Sequence, residues 1–450
     1  MRLPRRPGAG SEPPDVSAAE TVPGDTARHP STIFRGSSAL SASLLIVAAG
    51  GALFWVIAAR VTTSENVGQV AALSSAVAFL VYLTALGLVP MIARYGGGAE
   101  RSERVIHNRA LLAAVASSAL GAFLVSAISR VADIETFQLV QTPPGAVAFV
   151  LVAAGASTTV LVEIRLLSQR RYRWIIGRSV LTATTSVVAV ALGPVEAHPL
   201  ALFIAGSGVV AASGPIVWWL SDRHDPHRWA FGPAPEDAAA ILRYLSVSWT
   251  GSLVGRGAPT LLPLVVALQV SSEDNARFFV AWNIALIMFL VVQNVGTTLL
   301  TDGGRTLALE RQTQISLILC FGLAASMTLV AQIGAPLVEI VYGADYGISV
   351  DVLRVLSLSA VPLAFYTVAN AVAQIRHMSG VIIGLPLLLM AGVYLPVILM
   401  DPFTILDAPV AWLVGSVLSG VAGYVLLLAL RDRPFVPIAR RRSAPPMSEI

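Results

Sequence analysis

Apolar runs of about twenty residues, separated by short polar stretches, make up most of the chain. Twelve can be marked out: Ser38–Ala59, Gly68–Ile92, Ala110–Ser129, Gly145–Leu166, Ile175–Val195, Leu200–Leu220, Tyr244–Val270, Ala276–Leu300, Thr313–Leu337, Val352–Ala373, Val381–Met400 and Ala408–Leu430. Each approaches the ~20 residues that a helix needs to cross a hydrocarbon layer. No water reaches the backbone there, so an element that satisfies its own N–H and C=O groups is expected. The fifth run is the weakest, because it carries several Thr and Ser and begins beside Arg178. The pattern predicts an all-α integral membrane protein of about twelve transmembrane helices, in two six-helix lobes with a central cavity.

The stretches between the runs set the organisation. Residues 1–35 are rich in Pro, Gly, Ser and Ala and read as a disordered cytoplasmic tail. They are not read as a signal peptide, since the apolar run that follows exceeds a 7–15-residue core and lacks a clean cleavage site. An N-terminal lobe is expected over 36–220 and a C-terminal lobe over 243–430, with a basic cytoplasmic tail over 431–450. Between the lobes, residues 221–242 are polar and contain Pro226, Pro233 and Pro235, which suits a cytoplasmic linker. No loop leaves room for a soluble catalytic domain.

Composition agrees: 55% of residues are hydrophobic and 12% charged, with mean hydropathy +0.74, against roughly 25% charged in soluble proteins. All 30 basic residues are arginines. With the N-terminus placed inside, 25 of the 30 fall on inner loops and tails. Only Arg60, Arg130, Arg277 and Arg354 fall on outer loops, and Arg256 lies within a run. The bias follows the positive-inside rule and favours an even number of spans with both termini cytoplasmic. The net charge of +4 is a poor guide to partners, because position matters more than the sum; contacts with membrane lipids are expected and no nucleic-acid partner is. The single cysteine, Cys320, reads as a small buried hydrophobe. No metal-ligand spacing, phosphate-binding glycine loop or nucleophile–base pattern is present, so neither enzyme, metal nor cofactor is expected.

The halves carry a trace of repetition. Val61-Thr62-Thr63-Ser64-Glu65-Asn66 follows the first run, and Val270-Ser271-Ser272-Glu273-Asp274-Asn275 follows the seventh. Six spans per half implies parallel halves, related by an axis along the membrane normal with a cavity between them. Two independent helix caps would give the same local pattern.

Arg256 is the sharpest candidate. It sits mid-run between Gly255 and Gly257, with Pro259 and Pro263 beyond. Proline in a helix removes a donor and clashes with the preceding turn, so a kink or break is expected. A guanidinium at the bilayer centre costs about 2.5–3.5 kcal/mol on insertion scales, so it is expected to face a cavity that receives an anion. A purely structural partner in the protein is the alternative. Asn283, Gln293 and Asn294 in the eighth run, with Asn370 and Gln374 in the tenth, could hydrogen-bond sugar hydroxyls or tie helices together. Trp249 could stack on a sugar or anchor at the interface. Glu163 is the only acid inside a run, near its inner end, and pairs on this reading with Arg165, as an interfacial or gating pair. No acid lies at the bilayer centre, where an ion-coupled exporter of cationic drugs needs one.

Three motifs carry a family resemblance. Ala59-Arg60 is followed by Glu65 and Gly68, Gly87-Leu88 leads to Arg94-Tyr95, and Val341-Tyr342-Gly343-Ala344-Asp345-Tyr346 precedes the tenth run. With the span count, they resemble the polysaccharide-exporter (oligosaccharide flippase) branch of the multidrug/oligosaccharidyl-lipid/polysaccharide (MOP) superfamily, over about Ile33 to Arg431. The resemblance implies a flippase that moves polyprenyl-diphosphate-linked oligosaccharide from the inner to the outer leaflet of a bacterial cell membrane by alternating access. Its implied partners are the lipid-linked oligosaccharide, a polysaccharide polymerase and glycosyltransferases. The long N-terminal tail departs from the family. A multidrug exporter of the same superfamily and a non-transporting scaffold of a polysaccharide synthesis complex are the alternatives.

Overall fold

The computed structural model describes residues 30–85, 87–92, 101–193, 198–223, 225, 228–232, 238–303 and 309–430. The tail 431–450, most of the tail 1–35, and Arg94 and Tyr95 lie outside the described residues, as do several side chains of the seventh helix. Twelve long helical elements are present among them: α1 (Pro30–Val61), α2 (Ser64–Ala85), α3 (Arg101–Val131), α4 (Pro143–Ser168), α5 (Tyr172–Leu192), α6 (Pro199–Asp222), α7 (Ala238–Ala267), α8 (Ser272–Gly303), α9 (Leu309–Gly334), α10 (Ala344–Ile375), α11 (Ser379–Leu399) and α12 (Asp407–Leu430). Ten of these are long and apolar enough along their described length to cross a membrane, and α1 and α7 contribute the apolar segments Leu45–Val61 and Gly257–Ala267.

Within the N-terminal lobe α1 packs on α5, and α4 packs on both α3 and α6; in the C-terminal lobe α12 packs on α11 and α10, and α8 on α10. The reason is legible along α3. Its inward face carries Ala110, Ala114, Ser118, Ala122, Ser126 and Ser129, all buried, while Leu112, Leu120, Phe123 and Ile128 are exposed. Small residues let helices approach closely in a medium where burying leucine offers no gain over lipid. Hydroxyls tie the seam: Thr84 Oγ1 lies 3.0 Å from Ser118 Oγ, which in turn bonds Ser157 of α4.

Two features differ from simple helices. In α6, Ile204–Gly208 forms a single π turn, and Ser207 within it meets Ser74 of α2 at 2.9 Å. The second is α7, which runs unbroken through Pro259 and Pro263 from Ala238 to Ala267 rather than breaking. Neighbouring helices supply hydroxyl donors to carbonyls just before the proline segment. Tyr82 donates to the Leu253 carbonyl at 2.8 Å, and Tyr394 to that of Ala258 at 2.7 Å.

The stretch 221–242 is shorter as a connection than the sequence suggests, since α6 extends to Asp222 and α7 starts at Ala238. Its described residues are docked on the N-terminal lobe. Asn108 donates to the carbonyls of Arg228 and Ala230 at 2.9 and 3.0 Å. Arg109 donates to Gly232, and Trp229 packs edge-on against Trp218.

Candidate functional site

α2 of the first lobe packs against α7 and α8 of the second. At the end away from most arginines, this seam is closed. Gly68 lies so near α8 that a Cβ there would sit 1.6 Å from the Ser272 carbonyl oxygen. Only glycine permits that approach. Asn275 donates to the Gly68 carbonyl at 2.8 Å, and Thr136 to that of Ala267 at 2.6 Å. Arg60 at the end of α1 donates to Val341 O at 2.8 Å and also to Ile340 O. These carbonyls close the short helix Leu337–Tyr342, where a cation complements the C-terminal dipole.

The loops that open α2 and α8 therefore meet across the seam. Their caps are equivalent: Asn66 N–H donates to Thr63 Oγ1 at 3.3 Å, and Asp274 N–H to Ser271 Oγ at 3.2 Å. This pairs Glu65 with Glu273 and Asn66 with Asp274, one residue away from the sequence match of Asn66 with Asn275. Asn275 is instead free to reach the other lobe.

Below the closure, a cavity of about 710 Å³ opens between the lobes. It runs along α8 from Phe279 to Leu300, about 30 Å at 1.5 Å per residue. The lining of α8 is one stripe: Phe279, Asn283, Leu286, Leu290, Gln293, Asn294 and Thr297. These spacings of three and four put them on a single helical face. Opposite, Tyr366, Thr367, Asn370 and Gln374 form the matching stripe of α10. α7 contributes Pro259, Thr260 and Pro263, and α2 contributes Ser74, Ser75 and Ala78. Towards the closed end the neighbours are buried, with Trp282 only 3% exposed. Towards the arginine-rich end Gln293, Asn294 and Thr297 are exposed, so the cavity opens there.

Asn283, Gln293 and Asn294 are thus brought together, with Asn370 and Gln374. Asn283 donates to its own helix at Phe279 O, 2.8 Å. Asn370 Oδ1 is buried without a hydrogen-bond partner. None of the described lining residues is charged. Arg256 lies in α7, one turn before Pro259 and on the register of Pro259 and Pro263, but its side chain is outside the described residues.

Trp249 is elsewhere. Its indole N–H donates to the Leu83 carbonyl of α2 at 2.9 Å, so it joins the lobes and is not among the described lining residues. Glu163 and Arg165 do not pair with each other. Two residues apart on α4, they point in different directions. Glu163 accepts from Arg178 at 2.7 Å. Arg165 approaches Asp222 at 3.6 Å. Asp222 also holds Arg104 at 2.6 Å and Arg171 at 3.3 Å, while Arg104 pairs with Asp225 as well. Arg104, Arg165 and Asp222 are almost wholly buried. The sequence reading missed this cluster, since its members are 118 residues apart along the chain for Arg104 and Asp222.

No family model matches the chain, and no curated protein does. Solved structures do. An inward-facing multidrug-resistance MATE-family transporter of the MOP superfamily superposes with a TM-score of 0.67 at 16% identity, over 92% of this chain and 99% of that one. An outward-facing conformation of a MATE-family transporter gives 0.52 at 16% identity, over 89% and 96%. The lipid II flippase MurJ, in an inward closed conformation, gives 0.66 at 11% identity, over 87% of each chain. The chain is a multi-pass membrane protein with the two-lobed fold of these MOP-superfamily transporters.

Proposed function

We propose that the protein flips a polyprenyl-diphosphate-linked oligosaccharide from the cytoplasmic to the outer leaflet of a bacterial cell membrane, for cell-surface polysaccharide. Both termini are cytoplasmic on this reading, and the arginine-rich end is the cytoplasmic one. The observation that carries the proposal is the cavity: it opens at that end, and its described lining offers carboxamides and hydroxyls without charge. Amides donate and accept, as sugar hydroxyls do. A scaffold has no need of such a cavity.

The division of labour follows. The arginine-rich mouth attracts the anionic head, the amide-lined cavity takes the sugars, and Arg256 offsets the diphosphate during crossing while the lipid tail stays in the bilayer. With the cell interior negative, moving two negative charges outward releases about 4.6 kcal/mol per 100 mV, so a coupling ion is not obligatory. Polymerase and glycosyltransferases are the implied partners.

Deletion of the gene should make a lipid-linked oligosaccharide accumulate in the inner leaflet, identifiable by mass spectrometry. Arg256→Ala should leave the protein inserted at normal level but abolish polymer export; normal export would remove the counter-charge role. The multidrug reading draws on the MATE likeness and on the apolar wall of Leu286 and Leu290. It requires drug sensitivity on deletion with no accumulated lipid-linked sugar.

A further inference from the structure

We infer that the C-terminal lobe alone grips the cargo, and that the sugars it grips are uncharged. The inference rests on the flippase reading and adds the class of glycan and the lobe that holds it.

The polar lining is unequally shared. Among the described lining residues, all five carboxamides stand on α8 and α10, and the N-terminal lobe contributes Ser74, Ser75 and Ala78. The two serines are already engaged within their own lobe. Ser74 bonds Ser207 at 2.9 Å, and Ser75 donates to Ala71 O at 2.8 Å. The C-terminal lobe differs. Gln293 and Asn294 are exposed to the cavity, and Asn370 Oδ1 is buried without a hydrogen-bond partner. Buried polar atoms in native proteins are nearly always bonded, so such a group facing a cavity marks a place where a partner belongs.

The chemistry of that partner follows from the donor set. A carboxamide offers both N–H and C=O, and so matches a hydroxyl acting as acceptor and donor at once. Leu286 and Leu290 of α8 supply apolar wall for the C–H face of a sugar ring. A uronic acid would bring a further carboxylate beside these neutral amides; Arg256 is taken up by the diphosphate on the flippase reading, and the described lining residues include no second cation to meet it. Desolvating an ion without a counter-charge is far more costly than desolvating a hydroxyl. The volume of about 710 Å³ is within the range of roughly 300–1,000 Å³ typical of ligand pockets, which suits a short repeat unit and not a polymer.

The test uses full-length protein in liposomes and two probes. Both are polyprenyl-diphosphate trisaccharides of equal length; one is neutral, and the other carries one uronic acid. Flipping is read by loss of protection from an impermeant glycan-modifying enzyme. The neutral probe should cross at least tenfold faster. Asn370→Arg should narrow or reverse that ratio, by placing a cation in the cavity. Equal rates for the two probes in the unmodified protein would overturn the inference and leave the flippase reading intact. Movement of neither probe would overturn both.

Discussion

The two lobes use their polar residues in opposite ways. At the arginine-rich end of the N-terminal lobe, charges are packed against charges: Arg104, Arg165, Arg171, Asp222 and Asp225 form a closed cluster joining α3, α4 and the end of α6. In the C-terminal lobe, neutral amides face an opening. The first arrangement pairs its charges across three helices, although the Arg165 guanidinium makes no hydrogen bond of its own, so it holds helices in place. The second leaves donors and acceptors unspent in a wet space, so it can hold something else. Burial of a polar group therefore says little about its role until its partners are counted.

The largest effect is expected at the cluster. Asp222 is the hub, 2% exposed, and its removal leaves Arg104 and Arg165 buried with too little counter-charge. Breaking such a pair costs about 3–5 kcal/mol. Asp222→Ala should lower the melting temperature sharply and deplete folded protein, as read by fluorescence-detected size exclusion. A variant as stable as the parent would reduce the cluster to a surface ornament. The same loss should not follow from changes in the cavity, and that contrast is the substance of the comparison.

The one-sided opening comes next. A Cβ at position 68 would meet the Ser272 carbonyl oxygen at 1.6 Å, and backbone cannot step aside as a side chain can. Gly68→Val should keep the lobes from closing at that end and reduce transport at least tenfold. A cysteine introduced at Asn283 would then react with an impermeant thiol reagent from the outside, which it should not do with Gly68 in place. Unchanged labelling together with full transport would show that the seam is no barrier.

The fold was largely legible because membrane crossing imposes a single strong rule, about twenty apolar residues per span. The inward position of Asn283, Gln293 and Asn294 follows from the same rule, since a carboxamide within an apolar helix conflicts with lipid; whether each binds or ties helices together does not. What escaped was whatever depends on distant partners. Glu163 sits two residues from Arg165 in the chain, yet its partner is Arg178 of another helix. Trp249 could stack on a sugar or anchor at the interface on sequence alone; nothing in the sequence shows that its N–H reaches the Leu83 carbonyl of the other lobe. The stretch 221–242 reads as a linker because it is polar and rich in proline. Nothing in that pattern announces that Asn108 and Arg109 of α3 hold its backbone. The π turn of α6 has no marker in IAGSG beyond small residues.

The smallest effect is also the one with the most telling sign. Asn370 Oδ1 is buried without a partner, so it contributes nothing to stability and carries a desolvation penalty. An unsatisfied buried acceptor of this kind costs about 1–3 kcal/mol. Asn370→Leu removes it at similar size, so the thermal midpoint should hold or rise by a few degrees. Transport of a neutral lipid-linked glycan should nonetheless fall about tenfold, equivalent to 1.36 kcal/mol on the barrier. Stability and activity would then move in opposite directions, the reverse of what Asp222→Ala should give. If Asn370→Leu lowered both together, Asn370 would belong with the structural polar groups, and the contrast between the lobes would fail at its most exposed point.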